Sequence, residues 1–314
     1  MAVSKHLHGE GLTIGFICID DHYDHNHHTK DIISEQGFEI HAFCEGILEL
    51  LTTKALYVMN DWGGVVHDLV LDANQRGLIT FGAVEGVNDF DDRGYKIDGQ
   101  GRMRNPYNTV NHVFLTSRHD LRYFPKKECY IVGIPRVDSL VSEAPTFPDK
   151  DEVLINSNFT YGIYSDRRDQ WIEDVVDVVT SLGLSYKISV HPSDDGDLRK
   201  YVVSENKFLD DLRSTTLLVS RFSGCMLECL ALGKPCVYYD SFNEAVSKFK
   251  HPLGAFSIAK NKSDLKDAIK KETSQKTQVE CRAKQFLDLH LSVDDRESSS
   301  LRIAKQIADI VQNV

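Results

Sequence analysis

Between Thr215 and Asp240 the chain reads TTLLVSRFSGCMLECLALGKPCVYYD, and Ser223, Gly224 and Glu228 stand there at spacings that suit anion and polyol binding. Ser223 is placed to cap the helix that the following apolar spacing predicts. The start of such a helix carries unpaired N–H groups and the positive end of the dipole, so a phosphate sits there at low cost. Gly224 removes the side chain that would block a close approach. Glu228 falls one turn deeper on the same face, where a carboxylate could accept two ribose hydroxyls. A plain strand–helix–strand unit with an ordinary cap and a solvated glutamate carries the same letters, and pattern alone leaves both readings open.

Three other places carry candidate chemistry. Glu85 follows the apolar run Leu78–Val84, and a partly desolvated carboxylate at a strand end can take a proton from a hydroxyl. Asp89, Asp91 and Asp92 rival it, and bracing a loop is the plainer role. His191-Pro192 follows the apolar run Tyr186–Val190, with Pro192 fixing the turn that aims the imidazole. A lone histidine is more often structural, and His251-Pro252 repeats the dipeptide after a predicted helix. Asn156, Ser157 and Asn158 end another predicted strand, and could donate hydrogen bonds to phosphate. The loop DDHYDHNHHT, with Asp20 and His22, holds four histidines and three aspartates within nine residues. Its spacing matches no familiar ligand set, so it reads as a polar loop open to an acceptor rather than as a metal site.

Strands and helices alternate around these positions. Leu12–Ile19, Phe38–Phe43, Ala55–Met59, Leu78–Val84 and His112–Thr116 read as strands, with helices over Glu45–Thr53, up to Arg76, and from about Ser117. After a linker around Pro145 and Pro148 come strands at Glu152–Ile155, Tyr186–Val190, Thr215–Val219, Cys236–Tyr239 and Phe256–Ile258. Helices are predicted over Ser165–Leu182, after Ser223, over Phe242–Lys250, from Lys262, and within Arg296–Val314. This pitch indicates doubly wound parallel sheets, whose ligand loops follow the carboxyl ends of strands. The long polar connection 91–111, with Arg93, Arg102 and Arg104, reads as a lid or as plain surface.

The chain of 314 residues is long enough for two domains, each with its own core. A net charge of −11 gives no cationic field for nucleic acid, so no nucleic-acid partner is expected. The first apolar run is short and ends in acid, so no signal peptide is read, and no run approaches a membrane span. Seven scattered cysteines without a CxxC pair fit reduced thiols, and a cytoplasmic location is expected. Lys266, Lys270 and Lys271 on one predicted helix could touch an anionic inner-membrane surface, although interspersed acids favour plain solvation.

Ser220–Tyr239, as S-R-F-S-G-x-x-x-E-x-L-A-L-G-K-P-C-V-Y-Y, resembles the donor-nucleotide segment of GT-B transferases. More narrowly, it is similar to the branch that builds bacterial surface polymers from cytidine-activated donors: capsule sialyltransferases, Kdo transferases and CDP-glycerol glycerophosphotransferases. Val84-Glu85-Gly86 resembles the acidic-pair-plus-Gly motif of bacterial sialyltransferases, with Val84 where that motif has its first acid. The run Gly133-Ile134-Pro135-Arg136-Val137-Asp138 resembles the motif that closes the N-terminal domain beside the cleft, where Arg136 either meets donor phosphate or pairs with Asp138. His191-Pro192 resembles the His-Pro pair of the same branch. The resemblance implies an α/β fold of two Rossmann-like doubly wound domains facing a central cleft: residues 1–144 on the acceptor side, 145–294 binding the donor, and 295–314 as a helix crossing back. It implies an inverting glycosyltransferase with a nucleotide-activated donor, CMP- or CDP-linked, and a saccharide or glycolipid acceptor. No metal and no further cofactor are expected. Glu85 would be the base, His191 would stabilise the departing phosphate, and Asn156, Ser157, Pro192, Ser220, Ser223, Gly224 and Glu228 would hold the donor. The UDP-GlcNAc 2-epimerase type shares fold and donor segment and is the alternative enzyme; a non-catalytic nucleotide-sugar-binding scaffold is the alternative binding protein.

Overall fold

The computed structural model describes residues 2–9, 11–18, 39–42, 44–51, 53–59, 61, 64–84, 107–159, 165–191, 194, 196–244, 246–292 and 297–313. Asp20, His22, Glu85 and Pro192 lie outside them. The described chain divides into two compact units, one formed by residues up to 84, 107–135 and 292–313, the other by 136–291.

In the first unit, β1 (Gly15–Cys18) and β2 (Glu39–Ala42) pair in parallel. A second parallel sheet orders β3 (Ala55–Val58), β4 (Ile79–Ala83), β5 (His112–Leu115) and β6 (Glu128–Ile131) side by side. Helix α1 (Ala2–Gly9) packs on the closing helix α9 (Ser299–Gln312). Val3 and Leu7 of α1 and Ile303, Ala304, Ile307 and Val311 of α9 join Phe81, Ala83 and Phe114 in one core. The last helix therefore returns to the first unit, as the crossover expectation has it. On other surfaces of this unit, α2 (Ile47–Leu50) and α3 (Gly64–Gln75) bury Ile47, Leu48, Leu69 and Ala73 together.

The second unit is one five-stranded parallel sheet in the order β11-β10-β9-β7-β8, built from β7 (Glu152–Ser157), β8 (Ser185–Val190), β9 (Leu217–Ser220), β10 (Cys236–Tyr239) and β11 (Ser257–Ala259). Alternation sends Val153, Ile155, Leu217, Val219, Val237 and Tyr239 to one face, against Trp171, Ile172, Val175 and Val179 of α4 (Arg168–Ser181) and Leu265 and Ile269 of α7 (Lys262–Ser274). Leu154, Leu218 and Tyr238 are buried on the opposite face. There α6 (Gly224–Ala231) packs on β9, β10 and α8 (Val279–His290). Both faces are covered, which is why the central strands β7, β9 and β10 carry apolar runs, whereas the edge strand β8 (SYKISV) alternates.

Three expectations change. The helix from Ser117 is a 3-10 turn, Arg118–Tyr123, stopped by Pro125 just beyond it. The described residues of Phe242–Lys250 form no helix, because Asn243 takes a left-handed φ of 55° and breaks the helical path. Helices α1, α5 (Phe208–Ser214) and α8 arise from segments whose spacing did not single them out. The end of the long polar connection, residues 107–111, is bolted to the first unit by Asp61. The Asp61 side chain, almost wholly buried, accepts the backbone N–H groups of Tyr107, Thr109 (2.8 Å) and Val110 (3.1 Å). Asp61→Ala leaves those three donors unpaired and should lower unfolding free energy by about 3 kcal/mol or more. Urea denaturation checks this, and Asp61→Asn, which retains one acceptor oxygen, should lose less.

Candidate active site at a sheet switch point

In chain order the second unit's strands run 2-1-3-4-5, so the winding reverses between β7 and β9. Ligands of doubly wound sheets bind outside the carboxyl ends of the strands at such a point. Three adjacent strands deliver the expected residues to that edge: β8 leads into His191, β7 ends in Asn156 and Ser157, and β9 ends in Ser220, ahead of Ser223 and Gly224.

The strand ends are stitched together. Asn156 Nδ2 donates to Ser220 Oγ at 3.0 Å, and the Ser220 hydroxyl donates to the Arg221 carbonyl. Asn158 Nδ2 donates to the Phe222 carbonyl at 2.9 Å. Asn156 and Ser220 were expected to meet the donor; both lie inside strands, are buried, and are engaged with each other. Sequence reasoning placed Arg221 in the turn without a role. Its guanidinium is buried and grips Glu244 through Nε (2.6 Å) and Nη2 (2.5 Å), while Nη1 donates to the Asn158 carbonyl at 3.0 Å. The cation also lies over the rings of Phe159 and Phe222, 5.2 and 4.8 Å from their centroids.

Ser223 takes extended backbone and caps α6, its hydroxyl accepting from Cys225 N at 3.2 Å. Gly224 is the first helical residue, and Glu228 lies one turn along with its side chain 8% exposed. The Glu228 carboxylate forms an ion pair with Arg136, which is otherwise half exposed. Arg136 follows Gly133, whose left-handed φ of 86° turns the chain into the 3-10 segment Pro135–Val137. The partner of Arg136 in the structure is Glu228, not the Asp138 that sequence offered.

His191 hydrogen-bonds through its backbone, its N–H donating to the Ser157 carbonyl at 3.2 Å. Burial pushes its imidazole below the ordinary histidine value, and the nearby Asp194 carboxylate opposes that shift. Asp194 was not foreseen. It is buried, donates its backbone N–H to the His191 carbonyl at 2.8 Å, and accepts from Ser157 Oγ (2.6 Å) and Arg168 Nε (2.7 Å). Ser157, expected at a phosphate, thus holds the turn after His191. Gly196 lies flat on the Arg168 guanidinium, where a Cβ would come within 2.2 Å of Cζ. Among the described residues no cluster of His, Cys, Asp and Glu could hold a metal ion, and no helix is long and apolar enough to cross a membrane.

No protein-family model matches the chain, and no curated protein matches it. Solved structures do match. The UDP-GlcNAc 2-epimerase of Methanocaldococcus jannaschii, in complex with UDP-GlcNAc and UDP, aligns with a TM-score of 0.65 at 14% identity, covering 98% of this chain and 95% of the other. S. aureus MnaA with UDP aligns with a TM-score of 0.68 at 11% identity, covering 100% and 93%. A variant of the wall teichoic acid polymerase TagF soaked with CDPG aligns with a TM-score of 0.58 at 12% identity, covering 99% and 83%. These neighbours are GT-B-type enzymes, and the chain has the α/β fold of that class.

The Arg221–Glu244 pair should carry much of the loop's stability. Arg221→Met strands a buried carboxylate and should cost about 3–5 kcal/mol. Adding Glu244→Gln should return part of that loss in urea titrations, a coupling that a surface pair would not show.

Proposed function

We propose that the protein is a nucleotide-sugar-dependent GT-B enzyme. It would transfer a sugar or glycerol phosphate from a CMP- or CDP-linked donor to a hydroxyl of a bacterial surface polysaccharide or glycolipid. The observation that carries this reading is the switch-point edge, where a capped helix opening on Gly224 and carrying Glu228 follows β9, and His191 follows β8, on either side of β7 in one sheet. The TagF structure soaked with CDPG supports a cytidine donor on this fold.

In this mechanism the nucleotide phosphate lies at the start of α6, and Glu228 accepts the ribose hydroxyls. Glu85, outside the described residues, takes the proton from the acceptor hydroxyl. The acceptor oxygen forms its bond to the donor's anomeric carbon while the bond from that carbon to the phosphate oxygen breaks. With CDP-glycerol the attack is at phosphorus instead. CMP leaves with the electron pair from a CMP-linked sugar or from CDP-glycerol, and CDP from a CDP-linked sugar; His191 stabilises the leaving group's charge. Burial keeps His191 neutral in the free protein, and an adjacent phosphate favours its protonated form. Binding then takes up a proton, so affinity for CMP should strengthen as pH falls towards 6 and weaken as pH rises through the value of the bound imidazole. His191→Gln should flatten that dependence in calorimetric titrations, and an unchanged profile removes His191 from the phosphate.

The M. jannaschii structure, with UDP-GlcNAc and UDP, favours a second reading: an epimerase acting on a UDP-sugar itself. A thermal-shift panel of CMP, CDP, UMP and UDP separates the two. A nucleotide at about 100 times its dissociation constant should add roughly 2.7 kcal/mol to stability. Selective stabilisation by CMP or CDP supports the transferase. Selectivity for UDP, with a converted sugar nucleotide in the absence of any acceptor, supports the epimerase. Binding without turnover under any condition points to a scaffold, and no shift with any nucleotide overturns the nucleotide site.

A further inference from the structure

The Arg136–Glu228 pair occupies the ground a nucleotide would need. Arg136 Nε pairs with Glu228 Oε1, and Nη2 lies only 2.4 Å from where a Cβ on Gly224 would stand. A cation is therefore parked against the start of α6, the end whose dipole repels positive charge. Only the carboxylate one turn along accounts for its position. The two partners differ in exposure: the Glu228 side chain is 8% exposed and that of Arg136 46%.

That asymmetry sets the terms on which the pair can open. The guanidinium itself loses little when the pair opens, because it is already half in water. Glu228 cannot be abandoned, because a buried carboxylate without a partner is strongly disfavoured. A ligand must therefore bring an anion for the guanidinium and hydroxyl donors for the carboxylate together. A ribonucleotide phosphate has both, a few ångströms apart.

We infer that the Arg136–Glu228 ion pair is a placeholder which a ribonucleotide splits, with Arg136 moving onto the phosphate and Glu228 taking the ribose hydroxyls. This rests on the reading of α6 as the nucleotide site. It makes Arg136 a phosphate-binding residue and couples phosphate to ribose recognition: either group alone binds poorly, because neither alone compensates both partners.

The test is calorimetric titration of wild type, Arg136→Met, Glu228→Gln and the double variant with three probes: CDP or UDP (whichever the wild type binds), the corresponding nucleoside, and inorganic pyrophosphate. Arg136→Met should weaken the diphosphate about tenfold or more, the worth of a charge-assisted hydrogen bond, and leave the nucleoside unchanged or tighter. Glu228→Gln should have the opposite signature, binding pyrophosphate more tightly than wild type and the nucleoside more weakly. Should Arg136→Met unfold, the double variant, which leaves no charge stranded, keeps the comparison: it should lose the affinity gained from phosphate and from ribose alike. Equal weakening of all probes in Arg136→Met, or weaker pyrophosphate binding in Glu228→Gln, makes Arg136 a brace and overturns the inference while the nucleotide site stands. A wild type that binds neither diphosphate overturns the nucleotide site itself.

Discussion

A guanidinium taken out of water must have its donors answered, and Arg221 meets that demand at the most polar edge of an apolar sheet. It is 2% exposed. Its cost is offset only because a bidentate carboxylate, a backbone carbonyl and two aromatic faces surround it. Those partners belong to three different connections: Asn158 follows β7, Phe222 follows β9, and Glu244 follows β10. Asp240 fixes the last of these by accepting the Glu244 N–H at 2.6 Å. Arg221 itself sits two residues before the cap of α6, so the helix start inherits its position from this buried side chain.

Around this anchor the polar residues separate by what they are already doing. Asn156 and Ser220 hold strand to strand, and Ser157, Arg168 and Asp194 hold the turn after β8. Their donors and acceptors are largely committed within the fold. Ser223, Gly224 and His191 are neither fully buried nor fully exposed. Burial pushes the His191 imidazole below the ordinary histidine value, against the pull of the Asp194 carboxylate.

The fold was legible where burial is two-sided. β7, β9 and β10 are runs such as VLI, LLV and CVYY, with no polar residue before the strand end, and such runs admit few alternatives to a central parallel strand. The Ser223 cap was legible because capping is local chemistry, read within three residues. What escaped was long-range. Spacing carries no information on the reach of Arg136 to Glu228, or on that of Arg221 to Glu244. Asp194, three residues past His191, carries no signal in the sequence, yet Arg168 and Ser157 both donate to its carboxylate. Likewise the expected helix after Tyr239 failed because Asp240 and Glu244 were recruited by the sheet edge, a tertiary demand that overrides local helical preference.

The same division explains how chains only 11–14% identical can share this fold at nearly full length. Apolar strands and helix faces tolerate exchange among side chains of similar size, so the core places little demand on identity. Fold alone then does not choose between moving a sugar to an acceptor and changing it in place. Either reaction begins from a held nucleotide, and a helix start, a carboxylate one turn along and an imidazole two strands away can do the holding for both. The choice of reaction must lie with whatever group handles the acceptor or sugar proton. The donor-side geometry is therefore an argument about which molecule is bound, and the identity of the base is a separate question of chemistry.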